Sequence, residues 1–144
     1  MKDNKYCYDY PRPAVSADCI IIDKSKAHLK VLLIERKNEP FKGLWALPGG
    51  FVEEDETVDT GAHRELKEET GLELDMEQFR VYSEPDRDPR GRIITVAFLA
   101  FTGEGNLEPK AGDDAKNVKW FSISELPLLA FDHQKIIEDA LKVI

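Results

Sequence analysis

Residues 50–72 read GFVEEDETVDTGAHRELKEETGL. Gly50, Glu56, Arg64, Glu65, Leu66, Glu68, Glu69, Gly71 and Leu72 stand in the pattern G-x5-E-x7-R-E-U-x-E-E-x-G-U, with U aliphatic. Multiplying ordinary residue frequencies over these positions gives a chance match on the order of 10⁻⁹ to 10⁻¹⁰ per start site, so the spacing is not accidental. Val58, Ala62 and Leu66 recur at i, i+4 and i+8. That period predicts a helix over residues 57–70, with Thr57 as its N-cap and Gly71 as its C-terminal stop.

At about 100° per residue, Glu65, Glu68 and Glu69 fall within an arc of about 100°. The arc adjoins the Val58, Ala62, Leu66 stripe, while His63 and Lys67 point away. Like charges at these spacings destabilise a helix by roughly 0.2–0.5 kcal/mol per pair, so the face calls for a cation. Hard carboxylate oxygens with no histidine or cysteine nearby suit Mg²⁺ or Mn²⁺ better than zinc. A charge run taken alone would equally describe a solvated helix face.

The remainder of the chain predicts one domain over residues 11–144, preceded by an arm or tail at residues 1–10. A chain of 144 residues buries about 68–70% of the surface it exposes unfolded, which is enough for one core. A net charge of −8 and a pI near 4.9 speak against a nucleic-acid-binding surface, which needs clustered Lys and Arg. No apolar run approaches the ~20 residues of a membrane span, and residues 1–10 lack the apolar core of a signal peptide. The expected location is the cytoplasm. Cys7 and Cys19 have no CxxC or framework spacing, so a free Cys7 and a buried Cys19 are expected.

Residues 14–22 and 29–36 are β-rich runs around a polar segment and predict a hairpin; residues 79–83 and 92–101 predict a second pair. Residues 118–121 predict a short strand. Asp132 is expected to cap a last helix that turns Ile136, Ile137, Ala140 and Leu141 inward. Strands, helix, strands and helix in that order fit an α+β layered domain. Tyr6, Tyr8 and Tyr10 alternate at period two; an arm pairing with a sheet edge or with a second subunit of a homodimer, and a loose tail, both fit.

The motif of residues 50–72 is the Nudix box, and the chain resembles the Nudix hydrolases, which cleave nucleoside diphosphates linked to another moiety. The similarity runs over residues 12–137, with W-A-L-P-G-G at residues 45–50 as the usual lead-in. R-D-P-R-G-R (residues 87–92), G-D-D-A (112–115) and L-A-F-D-H (129–133) resemble the group associated with ADP-ribose pyrophosphatase and NAD turnover. The resemblance implies the Nudix fold, a mixed sheet between helices with a loop–helix–loop catalytic motif. It implies metal binding by Glu65, Glu68, Glu69 and the Gly49 carbonyl. Glu56 and Arg64 then read as a salt bridge that holds the loop to the helix and aims the carboxylates. Gly61 departs from the family, which commonly has alanine there. It costs about 1 kcal/mol of helix propensity and is expected to allow close packing.

Substrate contacts are expected from Arg87, Arg90 and Arg92, whose forks could clamp phosphate oxygens, and from Arg36 at a strand end. Each arginine has a plain surface reading beside this one. Phe131 and His133 are candidates for the nucleoside pocket or for packing at the helix start. Trp45 reads as packing before base stacking. Asp114, six residues before Trp120, matches a family position for a further metal ligand or general base; a turn carboxylate is the alternative. The implied activity is Mg²⁺-dependent hydrolysis of a small-molecule nucleotide, with ADP-ribose leading, giving AMP and ribose 5-phosphate. A cleaner of non-standard nucleoside triphosphates is the nearest enzyme alternative. A non-catalytic ADP-ribose sensor is the other, weakened by the intact carboxylates and the absence of an attached DNA-binding domain.

Overall fold

The fold is organised by two long strands, β1 (Ala14–Asp23) and β6 (Ile93–Thr102), which pair in parallel along their whole length, Ala14 opposite Ile93 through Asp23 opposite Thr102. The computed structural model describes residues 6–25, 27–103, 108–112 and 115–144. On the outer side of β6 lies β5 (Glu77–Tyr82), antiparallel and with an irregularity between Gln78 and Arg80. On the other side of β1 the sheet divides. β2 (Lys30–Arg36) meets β1 only at Ile22 opposite Val31 and Asp23 opposite Lys30. Beyond that point β1 pairs with β4 (Gly49–Phe51), whereas β2 pairs with β3 (Trp45–Ala46) on one edge and β7 (Ala115–Ser122) on the other. β1 and β2 therefore start together and diverge, and the W-A-L-P-G-G segment fills the gap.

Alternation along the central strands sorts the core into two layers. Ala17, Cys19, Ile21 and Leu32 face α1 (Val58–Thr70) through Ala62 and Leu66. Ile20, Ile22, Val31 and Leu33 face α2 (His133–Leu141) through Ile136, Ile137 and Ala140. Both central strands are buried on both faces, so they read as apolar runs rather than as alternation. The result is the mixed sheet between two helices that the sequence implied.

α1 begins and ends as its sequence predicts: Thr57 Oγ1 accepts the Thr60 N–H at 3.1 Å, and Gly71 closes the helix with φ 75°. α2 does not. Asp132 stands at its N-cap but makes no side-chain capping bond, because its carboxylate is bound elsewhere. Cys19 is buried and Cys7 exposed, both as free thiols. Burial, reinforced by Asp18 and Glu69, holds the Cys19 thiol well above its ordinary pKa. Residues 6–13 form neither helix nor strand, and Tyr6, Tyr8 and Tyr10 are exposed. No described helix is long and apolar enough to cross a membrane.

Candidate functional site

Arg64 organises the acidic face of α1. Its Nε and Nη2 engage both oxygens of Glu56 at 2.7–3.2 Å, its Nη1 reaches Glu65 at 2.8 Å and Glu68 at 3.1 Å, and Nη2 also donates to the Phe51 carbonyl at 3.0 Å. One guanidinium thus ties the loop after β4 to two helix carboxylates. Glu56 in turn accepts the Glu53 N–H at 2.9 Å. Arg64 first and this backbone bond second pull the Glu56 carboxyl down to about 2. Gly61 provides the room: a β-carbon there would stand 2.9 Å from Glu56 Oε1 and 3.3 Å from Val52. The residue that weakens the helix lets the loop carboxylate lie against it.

The glycine loop approaches the same face from the other side. Gly49 N–H donates to Glu69 Oε1 at 2.6 Å, and a β-carbon on Gly50 would lie 2.6–2.7 Å from the Glu65 carboxylate. Only a bare backbone fits there. Glu69 is buried, Glu65 nearly so, and Glu68 half exposed. Among the described residues no three His, Cys, Asp or Glu side chains converge into a finished metal cage. The donor set nevertheless suits a hard divalent cation: three carboxylates share one helix face, a backbone loop is pressed against it, and the Arg64 guanidinium lies between two of the carboxylates as a positive charge.

A buried polar chain fixes the loop from behind. Leu47 N–H donates to His133 Nδ1 at 3.0 Å, which leaves the ring proton on Nε2, 3.6 Å from Asp18 Oδ1. Asp18 Oδ2 accepts from Thr95 Oγ1 at 2.6 Å. Burial alone would raise the Asp18 carboxyl, but His133, Thr95 and Arg87 outweigh it and hold it below the usual carboxylate range. His133 therefore lines the cleft with both ring nitrogens turned toward protein groups. It anchors the segment that carries Gly49.

The cleft itself, about 390 Å³, opens where β1 and β2 diverge. Glu65 and Glu69 form one wall, Asp18 and His133 the floor, and Arg36, Arg90, Phe51 and Phe131 the mouth. Of the three arginines on residues 87–92, Arg92 is not in it: its guanidinium donates to the Ser83 carbonyl at 2.7 Å on the exposed side. Arg87 lines the cleft, but its fork is spent on Asp132 at 2.7 and 2.9 Å, and its side chain is buried. That pair is why Asp132 caps nothing. Arg90 also lines the cleft, yet its fork is held by Asp88. Arg36 uses Nε on the Pro40 carbonyl at 2.7 Å and lies 4.9 Å from the Phe131 ring centre. Phe131 adopts φ 54°, uncommon for a residue with a side chain, and its ring meets Phe41 edge-on at 4.8 Å. Trp45 packs edge-on against Phe121 at 4.7 Å, away from the cleft.

Asp114 lies outside the described residues. Gly112, two residues before it, donates its N–H to the Glu69 carbonyl at 3.1 Å, and its backbone passes so close to the Glu68 carbonyl that no side chain would fit. Asp18, Asp88 and Phe51 belong to the cleft without having been expected there. A signal existed for Asp18, a lone carboxylate inside an apolar strand, and for Asp88, an aspartate two residues before an arginine in a turn-rich segment.

A helix that presents carboxylates to a cleft furnished with arginines is built for an anionic ligand held together with a cation. Residues 12–140 match the NUDIX domain model, and the chain belongs to that family. It is 52% identical over 134 residues to an ADP-ribose pyrophosphatase of Methanocaldococcus jannaschii, covering 92% of this chain and 76% of that protein. It is 36% identical over 137 residues to the ADPR responsive transcriptional repressor NtrR of Acinetobacter baylyi, covering 92% of this chain but only 54% of the repressor. Among solved structures it resembles the NUDIX domain of Shewanella oneidensis NrtR complexed with ADP ribose, with a TM-score of 0.86, 33% identity, and 94% and 92% of the two chains covered.

Proposed function

We propose that this Nudix hydrolase is a metal-dependent pyrophosphohydrolase that cleaves ADP-ribose to AMP and ribose 5-phosphate. The observation that carries the chemistry is the placing of Glu65, Glu69 and the Gly49–Gly50 backbone on the wall of an arginine-containing cleft, with Glu68 tied to the same helix face by Arg64. The choice of ADP-ribose is supported by the 52% identity to the archaeal pyrophosphatase. In this reading Glu65, Glu68, Glu69 and the Gly49 carbonyl hold Mg²⁺, with Mn²⁺ as substitute. A cation held there would neutralise diphosphate charge and lower the pKa of a bound water.

The protein's own contributions are distinct from that. Arg64 and Glu56 aim the carboxylates, His133 anchors the loop, and Arg36 faces the ligand's phosphates with the part of its guanidinium that the Pro40 and Asn38 carbonyls leave open. A box glutamate or Asp114 takes the proton of the attacking water. Residues 11–144 form the catalytic unit, with no nucleic-acid partner. Two unpaired thiols accord with a reducing, cytoplasmic compartment.

One substrate panel with product identification tests the reading. The kcat/KM for ADP-ribose is expected to exceed that for 8-oxo-dGTP at least tenfold, a transition-state difference of about 1.4 kcal/mol. Faster cleavage of the triphosphate would reassign the enzyme to nucleotide-pool cleaning. Tight binding of ADP-ribose without turnover would favour a sensor, the reading that similarity to the Acinetobacter repressor and to the Shewanella NUDIX domain keeps in view.

A further inference from the structure

We propose that Asp88 is a positioning residue for ligand binding: by occupying the Nε–Nη2 fork of Arg90, it removes that bidentate edge from phosphate and holds the flat face of the guanidinium for the planar base of a nucleotide. The inference rests on the nucleotide reading of the cleft and assigns a part of it that the sequence pattern placed otherwise. Asp88 Oδ1 accepts from the Arg90 backbone N–H at 2.9 Å and from its Nε at 3.0 Å, while Oδ2 accepts from Nη2 at 2.7 Å. The Asp88 side chain is 3% exposed and that of Arg90 38%. Burial opposes the Asp88 charge, but the bonds from Arg90 prevail and keep the carboxyl below its ordinary range. A phosphate that took over the fork would strand a buried carboxylate without its cation.

Besides Nη1, Asp88 leaves the guanidinium plane unengaged. Its centre lies 4.8 Å from the Phe51 ring and 5.1 Å from the Phe131 ring. These rings come from different parts of the chain, β4 and the turn before α2. Phe131 is itself held in place: the adjacent Asp132 is forked to Arg87, one residue before Asp88. The dipeptide Arg87-Asp88 thus fixes both components of a guanidinium–aromatic surface at the cleft mouth. Phe51 is 41% exposed there, so part of its apolar surface is open to a ligand. Planar guanidinium and aromatic faces recognise bases by stacking, without demanding a particular hydrogen-bond edge.

The test compares a ligand that has a base with one that has only phosphate. Titration calorimetry with Mg²⁺ would measure AMP and inorganic pyrophosphate binding to the wild type, Asp88→Asn, Arg90→Ala and the double variant. Each single change is expected to weaken AMP about fivefold or more, the scale of a lost stacking contact, and pyrophosphate by less than about twofold. The double variant should bind AMP no more weakly than Arg90→Ala, since Asp88 acts through Arg90. Equal losses for AMP and pyrophosphate, additive losses in the double variant, unchanged AMP binding by Arg90→Ala, or no AMP binding by the wild type would each overturn the proposal. Were Asp88→Asn to misfold, Arg90→Ala would decide alone: a base-selective loss supports the stacking face and an indiscriminate one refutes it. A wild type that binds AMP in this manner but leaves ADP-ribose intact would overturn the hydrolase reading only.

Discussion

Arg64 carries more of the site than any other single residue, because one guanidinium serves Glu56, Glu65 and Glu68. Its pairing with Glu56 is not a source of pH dependence near neutrality. Glu56 has its carboxyl lowered to about 2, so the stability it contributes is present above the ordinary carboxylate range and is lost only as pH falls toward that value. The helix glutamates differ among themselves by exposure. Glu68 is half exposed and bonded by Arg64 on the helix surface, so Glu68→Gln should fold normally and leave the melting temperature nearly unchanged. Its kcat is expected to fall by about 10²–10³, the scale of losing one preorganised electrostatic contact, and added Mn²⁺ should restore little of it. Steady-state kinetics beside a melting curve would check both halves; full turnover by a folded Glu68→Gln would place the metal elsewhere.

At the scale of elements, α1 tests how the sheet and the loop compete for one helix. Gly61→Ala should gain about 1 kcal/mol of helix propensity. Against this, the new β-carbon would stand 2.9 Å from Glu56 Oε1, a flexible chain end that must withdraw by a few tenths of an ångström. Because Arg64 can follow Glu56, the propensity is expected to win, raising the melting temperature by about 2–4 °C in a calorimetric scan; a fall would show that the Glu56 contact cannot yield. The helix was legible to within a residue because its period, cap and stop all agree locally. β1, β2, β5 and β6 were legible as β-rich runs, though not the parallel pairing of β1 with β6, which is a contact between segments some seventy residues apart and leaves no local mark. β3 and β4 escaped notice because strands of two and three residues are too short for any period. The arginines of residues 87–92 were legible as a cluster, but their targets were not: Asp132 and Ser83 are chosen by tertiary packing, and so Arg87 became a brace and Arg92 a surface contact.

At the scale of the molecule, the cleft depends on α2 staying docked, because the first residue of that helix, His133, holds Leu47 and with it the glycine loop. The apolar contacts of Ile136, Ile137 and Ala140 supply most of the adhesion. A polar tie closes the far end: the Tyr82 hydroxyl on β5 donates to Asp139 Oδ2 at 2.9 Å, with Arg80 at 3.3 Å and Lys142 at 3.8 Å adding positive charge. The Tyr82 bond, ahead of the neighbouring cations, holds the Asp139 carboxyl below its ordinary value despite burial. A carboxyl depressed in the folded state contributes stability that is present above the unfolded pKa of about 3.9 and is lost as pH falls below it. Asp139→Asn keeps an oxygen for Tyr82 and removes only the charge, so it should melt below the wild type at pH 7. That gap should narrow steadily as the pH is taken below about 4, where the wild-type carboxyl also loses its charge. Melting curves of the two proteins between pH 7 and pH 3 would show it. A gap of constant size would mean that the charge of Asp139 contributes nothing and that α2 is held by its apolar face alone.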